Sequence, residues 1–107
     1  MSLDVSLFVV KETEVFEANI THNLGGMAGA AGLYDILWKP KETGIETATD
    51  LIQPLRDGLA ILKSDPHKFK QMNPENGWGS YDGLVRFCES YLRACENNPH
   101  AKVKAYR

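Results

Sequence analysis

Long apolar runs are missing from this 107-residue chain. The apolar stretch from Val5 to Val10 falls far short of the ~20 residues that cross a bilayer. Met1 to Asp4 carry no basic residue of the signal-peptide kind, so a cytoplasmic protein is expected, with no membrane partner. Concentrated positive charge is missing too. Twelve Lys and Arg stand against fourteen Asp and Glu, for a net charge of −2, and no two basic residues adjoin. Non-specific nucleic-acid binding needs a concentrated positive face, so nucleic acid is not an expected partner, while a local basic pocket stays open.

Cysteine is scarce. Cys88 and Cys95 are the only two, seven residues apart. On one helix that spacing separates them by about 10.5 Å along the axis, at roughly 1.5 Å per residue, too far for a disulfide. Both fall on an apolar stripe and read as small core residues. The three histidines, His22, His67 and His100, lie far apart, and no His/Cys/Asp/Glu spacing matches a metal site. Gly25-Gly26-Met27-Ala28-Gly29 follows a strand as a phosphate loop does, but lacks the Walker lysine and serine and the G-x-G-x-x-G pattern. Neither a metal nor a cofactor is expected.

What remains is an ordinary globular composition, 43% apolar and 24% charged, at the length of one domain spanning residues 1–107. Asp4 to Val10 is rich in β-branched and aromatic residues and reads as a strand. A polar turn at Lys11 to Thr13 leads to a second strand, Glu14 to Ile20, with Phe16, Ala18 and Ile20 on one face. The short separation predicts an antiparallel hairpin. Thr21 or Asn23 then caps a helix running through Leu33 or beyond, with Gly25, Gly29, Ala28 and Gly32 making a small, flat surface for close packing or for a ligand.

Lys39 to Glu46 is a polar connector. Thr47 to Lys63 is helical, with Leu51, Ile52, Leu55, Leu59 and Leu62 on one stripe and a capping pair at Thr47 and Asp50. Pro54 is expected to kink or restart this helix. Asp65-Pro66 opens a short helix with Phe69 and Met72. After a loop from Asn73 to Gly79, Ser80 caps a helix striped by Leu84, Phe87, Cys88, Tyr91, Leu92 and Cys95. Lys102 to Tyr106 alternates charged and apolar residues, as an edge strand does. The expected fold is α+β: a small antiparallel sheet, made of the N-terminal hairpin and the C-terminal strand, with three to four helices packed on it.

Two polar-aromatic islands stand out. One is Asn19-Ile20-Thr21-His22-Asn23, running into Leu24-Gly25-Gly26; the other is Asn76-Gly77-Trp78-Gly79-Ser80-Tyr81. Both fall where the chain turns into a helix, and helix starts offer unpaired N–H groups and partial positive charge. Asn19, Thr21, His22, Asn23 and Asn76 are candidate hydrogen-bonding residues. Trp78, Tyr81, Tyr34 and Trp38 are candidate stacking surfaces for a planar ring. His22 is the candidate general acid or base if there is a reaction. Lys39, Arg56 and Arg86 are candidate charges for a phosphate. A binding site built from both islands requires His22 and Trp78 to line one cavity.

These motifs, with Met27-Ala28, Ala31-Gly32-Leu33-Tyr34, Leu37-Trp38 and Gly58-Leu59, resemble a family of small bacteriophage and bacterial proteins with no established reaction. The resemblance runs over nearly the whole chain. It implies a setting in which small proteins sequester a signalling nucleotide or block a host defence protein. The leading expectation is therefore a small binding module for a nucleotide-like or other planar ligand. A small enzyme using His22 and a protein-binding inhibitor without a pocket are the alternatives. Paired carboxylates and activated nucleophiles are missing, which favours binding over catalysis. A host protein is a further candidate partner, and a dimer or higher oligomer fits the same picture.

Overall fold

A computed structural model describes residues 1–9 and 13–107. Val10, Lys11 and Glu12 lie outside the described residues, and with them most of the expected hairpin turn. On either side run β1 (Ser2–Val9) and β2 (Thr13–Thr21), paired antiparallel. The strand β3 (Lys102–Tyr106) pairs antiparallel with the other edge of β1, giving the order β2-β1-β3. The C-terminal strand thus joins the N-terminal hairpin, as its alternation predicts.

Register sorts the residues by face. Leu3, Val5 and Leu7 of β1 stand opposite Ile20, Ala18 and Phe16 of β2, and Val5 and Leu7 also oppose Ala105 and Val103 of β3. These residues share the helix-covered face, because side chains two apart on a strand point the same way. The register shifts after Leu7: Leu7 opposes Phe16 while Phe8 opposes Glu14. Val15 is left over as a bulge. The uncovered face carries Asp4, Ser6 and Phe8 at its centre.

Among the described residues five α-helices cover the sheet, one more than the upper expectation. The extra one comes from a break in the first helix. His22–Leu24 form a 3₁₀ turn, and α1 (Gly25–Ala30) and α2 (Tyr34–Trp38) follow as separate short helices. Gly32 sits between them at φ 75°, a left-handed conformation that ends a helix. The four glycines between residues 25 and 32 had already weakened that helix, at roughly 1 kcal/mol each against Ala.

The long helix α3 (Ala48–Ser64) runs through Pro54 as one element, so no new segment starts there. Pro54 removes the N–H that would bond to Asp50. The stripe of Leu51, Leu55, Leu59 and Leu62, buried to 5% exposure or less, holds the helix together regardless. Asp50 Oδ2 accepts from the backbone N–H of Glu46 at 3.0 Å and of Thr47 at 3.2 Å. Those bonds hold the Asp50 carboxyl below its ordinary range. The short α4 (Pro66–Lys70) begins at Asp65, whose carboxylate accepts from Lys68 N–H.

The last helix, α5 (Tyr81–Asn97), is capped by Ser80, whose Oγ accepts from Gly83 N–H at 3.0 Å. It packs against α3 and under β2, where Tyr91 stacks on Phe16 with ring centroids 5.6 Å apart. Cys88 and Cys95 are both fully buried and unpaired. Burial pushes each thiol up to about 12. Among the described residues no helix is long and apolar enough to cross a membrane.

Candidate functional site

The two islands meet, through their backbones and caps. Asn23 Nδ2 donates to the carbonyl of Trp78 at 3.3 Å. Asn76 Oδ1 accepts from Trp78 N–H at 2.9 Å, and Thr21 Oγ1 accepts from Asn23 N–H at 3.3 Å. Gly79, at φ 105°, presses on the first island: a Cβ there would lie 2.7 Å from Thr21 Cγ2 and 2.9 Å from Leu24 Cγ. Glycine is required here both for the backbone angle and for the close approach.

The side chains at this junction diverge. Trp78 projects outward, with 71% of its surface exposed, so it does not plug the core. Tyr81 turns inward. Its ring stacks on Phe69 at 6.4 Å, its hydroxyl donates to the carbonyl of Leu62 at 2.8 Å, and its N–H donates to Asn73 Oδ1. Asn19 lies on the open sheet face opposite Asp4. His22 and Trp78 line neither of the two grooves described below. The junction is a clasp of backbone and cap contacts whose side chains point to different surroundings.

His22 is engaged on its other side. The indole N–H of Trp38 donates to His22 Nδ1 at 2.8 Å. Tyr34 stacks on Trp38, with centroids 5.1 Å apart and planes 13° from parallel. Gly25 and Gly29 of α1 make the flat seat for Tyr34: a Cβ on Gly25 would lie 3.2 Å from Tyr34 Cε1 and one on Gly29 3.8 Å from Tyr34 Cβ. The small surface of α1 thus serves close packing of an aromatic ring. Lys39 Nζ lies 5.8 Å from the centre of that ring. Three candidate residues accordingly come together: Tyr34 and Trp38 stack, and His22 is hydrogen-bonded to Trp38 with its ring tilted by 44°.

That stack backs the larger groove. Trp38 is only 3% exposed, yet it forms part of the groove's wall. The groove holds about 730 Å³ and runs between β3 and the segment from Trp38 to Thr47. Five cationic side chains line it: Lys39 and Lys41 on one side, Lys102, Lys104 and Arg107 on the other. Two carboxylates, Glu42 and Glu46, share the lining, and Glu42 pairs with Arg107 at 3.4 Å. That pair is exposed on both sides and holds little energy. Lys104 Nζ lies 4.4 Å from the Phe8 ring. Tyr106 forms a rim, 61% exposed.

Of the other charges considered for phosphate, Arg56 pairs with Glu96 at 2.6 Å across α3 and α5, and Arg86 is exposed on α5. Neither lines the groove. A smaller hollow of about 310 Å³ lies on the open sheet face, beside Asp4, Glu14, Glu17 and Asn19. A hydrogen bond to the Glu17 carboxylate, above all, raises the Glu14 carboxyl above its ordinary range. Among the described residues no three His, Cys, Asp or Glu side chains are grouped to hold a metal ion.

The cations Lys41, Lys102, Lys104 and Arg107 were missed in the sequence. Their signal was present: Lys39-Pro40-Lys41 and Lys102-Val103-Lys104 each place two lysines two apart. Only the tertiary fold sets these pairs across one groove. No protein-family model, curated protein or solved structure matches this chain. The likeness to small phage proteins rests on the motifs alone.

Proposed function

We propose that this protein is a small binding module that holds an anionic ligand with a planar group, nucleotide-like in its chemistry, in the groove between α2 and β3. One observation carries the reading: among the described residues, five cationic side chains and two carboxylates line a single groove, in a chain whose net charge is −2. Charge gathered against the trend of the whole molecule raises the local concentration of anions. The volume of about 730 Å³ is that of an ordinary small-molecule site. Tyr106 offers a ring face at the rim. Within the phage setting that the motifs resemble, such a module would act by sequestering a nucleotide signal in the host cytoplasm.

The enzyme alternative has less support. Nδ1 of His22 accepts from the indole N–H of Trp38, so that nitrogen's lone pair is engaged within the fold and not offered to a substrate. His22 is better read as a positioning residue that holds Trp38 in the groove wall.

Native mass spectrometry and thermal shift with a panel of nucleotides and cyclic nucleotides test the proposal. Retained mass for a member of the panel, lost in the Lys41→Glu and Lys102→Glu variants, supports it. No retained mass and no stabilisation by any member contradicts it.

A further inference from the structure

The two edges of the sheet differ. The outer edge of β2 is blunted by the bulge at Val15 and by the charges of Glu14 and Glu17, devices that discourage a further strand. The outer edge of β3 is closed for only part of its length. Val103 N–H donates to the carbonyl of Glu46 at 3.0 Å, and Ala48 N–H donates to that of Ala101 at 2.8 Å. Toward Ala105 the cover stops at Glu46, because the chain before it is folded back on Pro40, whose carbonyl accepts from Ile45 N–H at 2.9 Å. Because Val103 points outward, the alternation of an antiparallel ladder turns the N–H and C=O of Ala105 outward as well. Among the described residues no backbone group pairs with them. They face the groove, which Ala105 helps to line.

We propose that this edge takes up an extended acidic segment of another protein as a fourth strand, laid into the groove along β3. The proposal rests on the groove being the anion site and goes beyond the small-ligand reading by naming a second class of occupant. The segment's chemistry follows from the two faces it would present. Lys102, Lys104 and Tyr106 share the open face of β3, while Val103 and Ala105 share the helix-covered face beside Trp38. Thr47 already stands opposite Lys102, so the added strand pairs along residues 104–106: its residue opposite Ala105 faces Trp38 and is apolar, and the residues on either side face the lysines of the open face and are acidic. Among the described residues no carboxylate pairs with Lys41 or Lys102. A second copy of this chain fits poorly, because pairing β3 with itself about Ala105 sets Lys104 opposite Tyr106 and brings no carboxylate to the lysines.

The test uses the intact protein and three synthetic hexapeptides: one alternating glutamate and valine, one with its three glutamates before its three valines, and the alternating one N-methylated at alternate residues. Binding is read by fluorescence anisotropy, and the Ala105 amide by NMR hydrogen exchange. The expected result is binding of the alternating peptide, with Ala105 exchange slowed about tenfold or more and both control peptides weaker by about tenfold or more. Equal binding of all three, or unchanged Ala105 exchange at saturation, overturns the strand. If nucleotides bind and the alternating peptide does not, the strand fails and the small-ligand reading stands. If the peptide binds with the Ala105 signature and no nucleotide does, the reverse holds. If neither binds, both fail.

Discussion

Trp38 donates its indole proton to Nδ1 of His22 across 2.8 Å, and this bond ties the first helix turn after β2 to the wall of the basic groove. The histidine that stands out in the sequence thus acts on the groove through a tryptophan. Its partner is nearly buried, so the indole N–H has no easy recourse to water.

Replacing His22 by Ala therefore leaves that N–H without its acceptor. The expected loss of stability is about 1–3 kcal/mol, the usual cost of a buried donor left unpaired. Urea denaturation measures it. Long-range nitrogen–proton NMR of the wild type should show the ring protonated at Nε2 alone. A His22→Ala protein as stable as the parent would show that the bond holds nothing.

At Gly58 of α3, a Cβ would overlap Cδ2 and Cγ of Leu33. Leu33 is fully buried and cannot swing into solvent. Gly58→Ala gains about 1 kcal/mol of helix propensity but is expected to lose about 1–3 kcal/mol to overpacking. A net fall in melting temperature is the outcome to look for.

The thiols give a pH dependence with a definite sign. Burial raises both Cys88 and Cys95 to about 12 in the folded protein. In the unfolded chain they lose protons near their ordinary value of about 8.5. Between those values the folded state binds more protons than the unfolded one, so stability falls as pH rises. Stability set by these two groups is flat below about pH 8 and declines above it. Ser substitutions at both positions should remove that part of the decline. At pH 8 a thiol reagent should modify neither residue until denaturant is added.

The clasp between the islands makes a separate prediction. Asn23→Ala removes the bond to the Trp78 carbonyl, which is exposed, so the cost should stay near 0.5–1 kcal/mol. Its mark should instead be faster amide exchange in residues 76–79, with no change in ligand affinity at the groove. A large loss of ligand affinity would return the site to the islands.

Much of the fold was legible. The strand at Asp4 to Val10 was read from its composition, Phe16, Ala18 and Ile20 do share one face of β2, and the capping residues Asp65 and Ser80 marked their helices. Pro54 and Gly32 misled for opposite reasons. At Pro54 tertiary packing of four leucines overrode a local breaker, while at Gly32 a residue read as part of a flat helix face took a left-handed angle and ended the helix. The site was legible in part. His22, Tyr34 and Trp38 do come together, since they lie within two turns that the chain folds back on each other. Tyr81 and Trp78 went to the core and to the surface, because residue type alone cannot say which way a side chain faces. The groove's lysines became a site only when β3 paired with β1, more than ninety residues away in the chain.

The most direct test is an amide NMR titration of the protein with the tightest-binding member of the nucleotide panel. The account predicts that shifts gather at residues 38–47 and 102–107, and vanish when Lys41 and Lys102 are both changed to glutamate. Shifts gathered at His22, Asn23 and residues 76–79, unaffected by those changes, would contradict it.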